Sequence, residues 1–158
     1  MLEGECNRLF TWRCYRVVVD DMIGSFDEGI VDWDIYSRAR AELGAGFARI
    51  LGYFREDGDK SVTRIEEAMQ RGEVAGAVLP AHTIKSEARQ FGAEELGTLA
   101  EEIEYSARRA LEMQFFPDDL IPHVAKLRPL YGRTIELLER EANPLRRRQP
   151  SPGRPSPE

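Results

Sequence analysis

The chain has 158 residues, 42% of them hydrophobic and 32% charged, with a formal net charge of −6. That length suits one domain with little left for a second, and the apolar share is enough for a core. The acidic balance argues against nucleic acid as the main partner, since a phosphate backbone demands a basic field, and no apolar run approaches the roughly 20 residues that span a bilayer.

Residues 1–30 show no sustained helical period and read as a poorly ordered leader. They lack the basic-then-apolar order of a secretory signal. Arg13–Val19 fits a short strand or coil, but no second strand is available to pair with it. Met22 is a more ordinary start, so the first 21 residues read as an upstream mis-start or a tag remnant. Cys6 and Cys14 fall in this unpatterned stretch and read as free thiols of a reducing cytoplasm, not a disulfide framework.

From Asp34 the pattern turns helical. Ile35, Tyr36, Ala39 and Leu43 define a short amphipathic helix over 34–43, with Asp32 or Asp34 as its cap. Phe47, Leu51, Phe54, Gly58, Val62, Ile65 and Met69 then keep one heptad-like phase. A loop at the Glu-Asp-Gly-Asp segment would reset that phase, so one long helix over 45–71 is predicted despite the ~1 kcal/mol cost of an interior glycine. Gly72 ends it. A third helix over 73–91 turns Val74, Val78, Ala81, Ile84, Ala88 and Phe91 inward, and Gly92 closes it. A fourth, over 93–113, buries Leu96, Leu99, Ala100, Ile103, Ala107 and Leu111. A fifth starts at Pro117-Asp118-Asp119 and carries Leu120, Ile121, Val124, Leu127, Tyr131, Ile135 and Leu138 inward, with Pro129 expected to bend it. From 143 the chain is Arg-rich, then Pro/Ser-rich, and reads as a disordered tail in which Arg146-Arg147-Arg148 serves as a solubilising end.

The predicted fold is all-α. It is an up-down antiparallel four-helix bundle over 31–142, with the short N-terminal helix packed on one end. A monomer is expected, because no large apolar face remains beyond the four stripes.

Only one stretch carries a candidate for chemistry. Helical winding sets His82, Lys85, Ser86 and Arg89 on one face, beside the apolar stripe of Ala81, Ile84, Ala88 and Phe91. Imidazole is a good nucleophile toward phosphorus, and Lys85, one turn on, can steady a phosphoryl group. Arg89 adds a fork of donors one turn further. Ser86 is small enough to leave room for a partner. Antiparallel pairing about Ala93 sets Glu104 opposite His82, where a carboxylate can fix the imidazole tautomer. Spacing alone favours an ordinary solvated face, and Glu101, Glu102 and Glu104 fit a plain acidic face equally well. His123 has no cation cluster around it and reads as a surface residue. There is no metal-ligand set, phosphate-binding glycine loop or catalytic triad pattern.

The stretch Ala81-His82-Thr83-Ile84-Lys85-Ser86-Glu87-Ala88-Arg89-Gln90-Phe91-Gly92-Ala93-Glu94-Glu95-Leu96 resembles the signature of histidine-containing phosphotransfer (HPt) domains. The similarity runs from Asp32-Trp33-Asp34 through Phe47, Phe54 and the Gln70-Arg71-Gly72-Glu73 turn to Leu99, Glu102 and Glu104, about residues 30–112. The resemblance implies a phosphoryl carrier of two-component phosphorelays, not an enzyme with its own ATP site. By position, His82 is the implied phosphoacceptor, Lys85 the phosphoryl-steadying lysine and Glu104 the group that hydrogen-bonds the imidazole. Arg89 falls where the family varies, so its charge-stabilising role rests on geometry. The residue after the lysine is most often Gly in the family and is Ser86 here. Implied partners are response-regulator receiver domains and a hybrid or sensor histidine kinase, docking on Val78, Leu79, Ser86 and Gln90. No cofactor is expected on this chain, and magnesium belongs to the receiver. The competing reading is a helical adaptor that binds receivers or kinases without being phosphorylated. A bundle cut from a larger chemotaxis-type kinase is a third.

Overall fold

The computed structural model describes residues 29–115 and 118–143. The expectations for the 1–30 leader up to residue 28, for Cys6 and Cys14, and for the tail beyond 143 lie outside the described residues. Among the described residues five α-helices follow in order: α1 (Trp33–Leu43), α2 (Phe47–Arg71), α3 (Ala75–Gln90), α4 (Glu94–Met113) and α5 (Leu120–Ala142). Helices α2 to α5 form the up-down bundle, α5 returning to α2, while α1 packs on α2 and α3. The core begins one residue before the expected boundary at 31, because Ile30 is already buried.

Local chemistry sets the ends of these helices. The Asp32 carboxylate accepts from the backbone N–H groups of Asp34 and Ile35, so Asp32 is the cap and Asp34 an acidic first-turn residue. A short 3₁₀ turn over Gly44–Gly46 delays α2 to Phe47, two residues later than the phase implied. Gly72 (φ +69°) and Gly92 (φ +78°) both take the left-handed conformation that closes a helix. In each turn the next residue's N–H, from Glu73 or Ala93, reaches back to Ala68 or Ala88. Gly92 has a second reason to lack a side chain, since a Cβ there would run into the Asp32 carbonyl and the Ile35 side chain. The Asp32 N–H donates to the Gly92 carbonyl at 2.7 Å, which ties α1 to the α3–α4 turn.

Gly58 sits inside α2, as the unbroken phase requires, and the packing explains the missing side chain. A Cβ on Gly58 would lie 2.6 Å from the Tyr131 ring of α5. That ring cannot retreat freely, because the Tyr131 hydroxyl donates to the carbonyls of Arg55 (2.6 Å) and Phe54 (3.1 Å). Rings then run edge to face or stacked from Trp33 through Tyr36, Phe47, Phe91 and Phe54 to Tyr131. Such pairs contribute ~0.5–1.5 kcal/mol each beyond their burial. Gly58→Ala removes a ~1 kcal/mol helix penalty but overpacks this contact, which costs ~1–3 kcal/mol. Urea denaturation should therefore show a net loss in the wild-type background and a gain once Tyr131→Leu has opened the space. A gain in both backgrounds would refute the packing explanation.

Several expected core positions are less buried than the periodicity implies. Leu111 is exposed, and Ala110 takes the buried place near the end of α4. Leu111 lies level with the start of α3 and borders an open shelf with Val74, Ala75 and Phe115, and among the described residues no helix crosses over it. Ile121 and Val78 are half-buried, while the remaining predicted stripe of α5 is buried. Pro80 lies in the interior of α3, unremarked by the periodicity, and Pro129 lies inside α5 without ending it. The N–H that Pro80 lacks would have bonded the carbonyl of Gly76.

Candidate functional site

The Phe91–Ala93 turn sets the register between α3 and α4. Residues equidistant from Ala93 face one another: 82 with 104, 85 with 101, and 89 with 97. The His82 Nδ1 lies 3.1 Å from Glu104 Oε1, and Lys85 Nζ lies 3.8 Å from Glu101. The Arg89 stem passes over Gly97. Ala81, Ile84 and Ala88 are fully buried and clamp α3 into the core. This leaves the His82 side chain 51% exposed.

Glu104 is the centre of the site, with only 8% of its side chain exposed. Its Oε2 receives the Lys85 ammonium at 2.7 Å. Its Oε1 receives Arg108 twice, from Nε at 3.1 Å and a terminal nitrogen at 2.8 Å, in addition to the imidazole. Burial works to raise the Glu104 pKa, but hydrogen bonds from Lys85, Arg108 and His82 outweigh it and hold the carboxyl down at about 2. An anionic Glu104 accepts the proton of Nδ1. With Nδ1 turned to that carboxylate, Nε2 has no partner among the described residues.

This depression has a measurable consequence for folding. A carboxyl whose folded pKa lies below its unfolded value stabilises the fold above the unfolded pKa, and loses that contribution as pH falls through the folded one. For Glu104 the window is from about 4.5 down to about 2. The contribution is on the order of 2–3 kcal/mol, discounted because Arg108 is largely exposed. The stability gap between wild type and Glu104→Gln should be constant above pH ~5 and close across that window. A gap that does not change with pH would count against a charged Glu104.

The other predicted residues are distributed around this centre. Arg89 is committed to Glu101 at 2.8 Å and Glu94 at 3.4 Å. It also stands seven residues from His82, roughly 10 Å along the helix axis, which is far for a direct phosphoryl ligand. Ser86 is exposed, and its hydroxyl donates to the His82 carbonyl at 3.0 Å. Leu79 is 72% exposed. Gln90 borders an open groove with Ile35, Arg38, Ala39, Glu42 and Leu43 of α1. His123 is half-buried, with Nε2 3.5 Å from Glu102 and a buried, unpartnered Nδ1. Arg108 is the participant that sequence reasoning missed. The i,i+4 spacing from Glu104 and the same pairing about Ala93, which sets 108 across from 78, would have found it.

Among the described residues no cluster of three or more His, Cys, Asp or Glu side chains could hold a metal ion, and no helix is long and apolar enough to cross a membrane. The described bundle thus presents a half-exposed histidine hydrogen-bonded to a nearly buried carboxylate that a lysine also holds. The family model of the Hpt domain matches residues 49–141, more than half of the chain, and the chain belongs to that family. Hpt domains are phosphocarrier modules of two-component phosphorelays, which interact with receiver domains and kinases and carry no kinase domain of their own. No curated protein and no solved structure matches the chain significantly.

Proposed function

We propose that His82 accepts a phosphoryl group from a receiver-domain aspartate and passes it to the aspartate of another receiver. The observation that carries this reading is the Nδ1–Glu104 hydrogen bond, which leaves Nε2 as the outward nucleophile. In the uptake step the Nε2 lone pair attacks phosphorus. The N–P bond forms, the P–O bond breaks, and the aspartate carboxylate leaves with the electron pair. The Nδ1 proton stays, so the ring becomes a cation facing the Glu104 anion, and release is the reverse. Lys85 neutralises charge on the phosphoryl oxygens, while magnesium belongs to the receiver. The partner docks over Leu79, Val78, Ser86 and Gln90 and the adjoining edge of α1, as a modest contact aided by charge steering.

Incubation of the protein with phosphorylated receiver domains tests the reading. Acid-labile, alkali-stable phosphate on the chain supports it. A chain that binds receivers tightly yet never takes label would instead be the non-phosphorylated adaptor.

A further inference from the structure

Lys85 touches two carboxylates, and each is also held by an arginine. Glu104 is bound by Arg108 and Glu101 by Arg89, each with a 2.8 Å contact. The two arrangements differ in weight. Glu101 is about half exposed and its ion pairs are screened by solvent, whereas Glu104 is nearly buried and cannot be left with too little positive charge. A phosphoryl group on His82 brings oxygens to within one turn of Lys85 and draws its ammonium away from Glu104. Without another cation on Glu104, the buried carboxylate would pull Lys85 back and compete with the phosphoryl group for it.

We propose that Arg108 is a positioning residue for phosphotransfer: its two hydrogen bonds keep Glu104 charged and oriented, which frees Lys85 to change partners. The proposal rests on His82 as the phosphoacceptor and adds to that reading a residue and a movement. Arg108 sits on α4, four residues after Glu104, with 57% of its side chain exposed. It acts through the carboxylate and does not touch the transferred group. Arg89 has the equivalent place at Glu101, with a smaller effect because that carboxylate is open to water.

A small donor separates this role from receiver docking. With phosphoramidate, Nε2–P forms, the donor's P–N bond breaks and ammonia leaves, so no partner surface takes part. Labelling rates are compared for wild type, Arg108→Gln, Lys85→Gln and the double variant, with Arg108→Lys as the conservative rescue. The expected result is about a 10-fold loss for Arg108→Gln when Lys85 is present, the size of one charge-assisted hydrogen bond. In the Lys85→Gln background the same change should cost under about 2-fold, and Arg108→Lys should recover most of the rate. Full speed for Arg108→Gln, or equal losses in both backgrounds, would overturn the proposal. Should Arg108→Gln fail to fold, nitrogen NMR of the wild type decides the matter. On phosphorylation the Lys85 ammonium signal must shift while the Arg108 Nε–H stays protected, and any other outcome rejects the proposal. A wild type that takes no label on His82 defeats the phosphoacceptor reading itself, a result distinct from silence at Arg108.

Discussion

His82→Gln is expected to remove all acid-labile phosphate from the protein while leaving its folding stability within about 0.5 kcal/mol of wild type. Both halves follow from the geometry. The ring is about half exposed, so little apolar contact is lost with it. A glutamine amide is polar, donates hydrogen bonds, and can offer one toward Glu104 in place of Nδ1. What it cannot supply is a nitrogen lone pair able to attack phosphorus, because the amide nitrogen is delocalised into its carbonyl. His123 does not substitute, since its Nε2 faces Glu102 and its Nδ1 is buried. Phosphate that persists in the variant, located by mass spectrometry on another residue, would sink the assignment.

Glu104→Ala is the second large effect. Loss of the acceptor frees the imidazole to adopt either tautomer and removes the anion facing the ring when it becomes cationic. One charge-assisted hydrogen bond corresponds to ~1.5–3 kcal/mol, so transfer should slow roughly 10- to 100-fold. Glu104→Gln keeps an oxygen for Nδ1 but not the charge, and its rate should fall between the two. That ordering distinguishes orientation of the ring from stabilisation of its charge. Equal rates for the alanine and glutamine variants would assign the whole effect to charge. Nitrogen chemical shifts of the ring at neutral pH give the tautomer directly, and wild type should be the Nδ1–H form.

Much of this arrangement was legible in the sequence because two counting rules apply to it. The heptad phase carried through Gly58, and the structure gives one helix there, with the glycine required by the Tyr131 ring that no local pattern reveals. Pairing about Ala93 brought Glu104 to His82. Arg108 follows from a different rule, the i,i+4 spacing that sets it one turn after Glu104 on the same helix, with the bend of its long side chain completing the contact. Leu111 was misassigned. Periodicity marks the face a residue points from, but not whether a neighbouring helix is still present at that height. Helical spacing sets Arg89 two turns after His82, but its partners lie on α4, and only the folded pair of helices shows the guanidinium already engaged.

The Phe91–Ala93 turn limits how the chain can be altered. Loop length is usually the most tolerant property of a helical bundle. Here one inserted residue taken up as an extra residue at the start of α4 would rotate everything after it by about 100° and advance it by ~1.5 Å. Glu104 would leave His82, Glu101 would leave Lys85, and Gly97 would no longer lie beneath Arg89, all from a change that touches none of them. Engineers who wish to append reporters or graft new segments should avoid this turn, however exposed its neighbours look. The α4–α5 connection is the better place, since no pairing about Ala93 depends on its length.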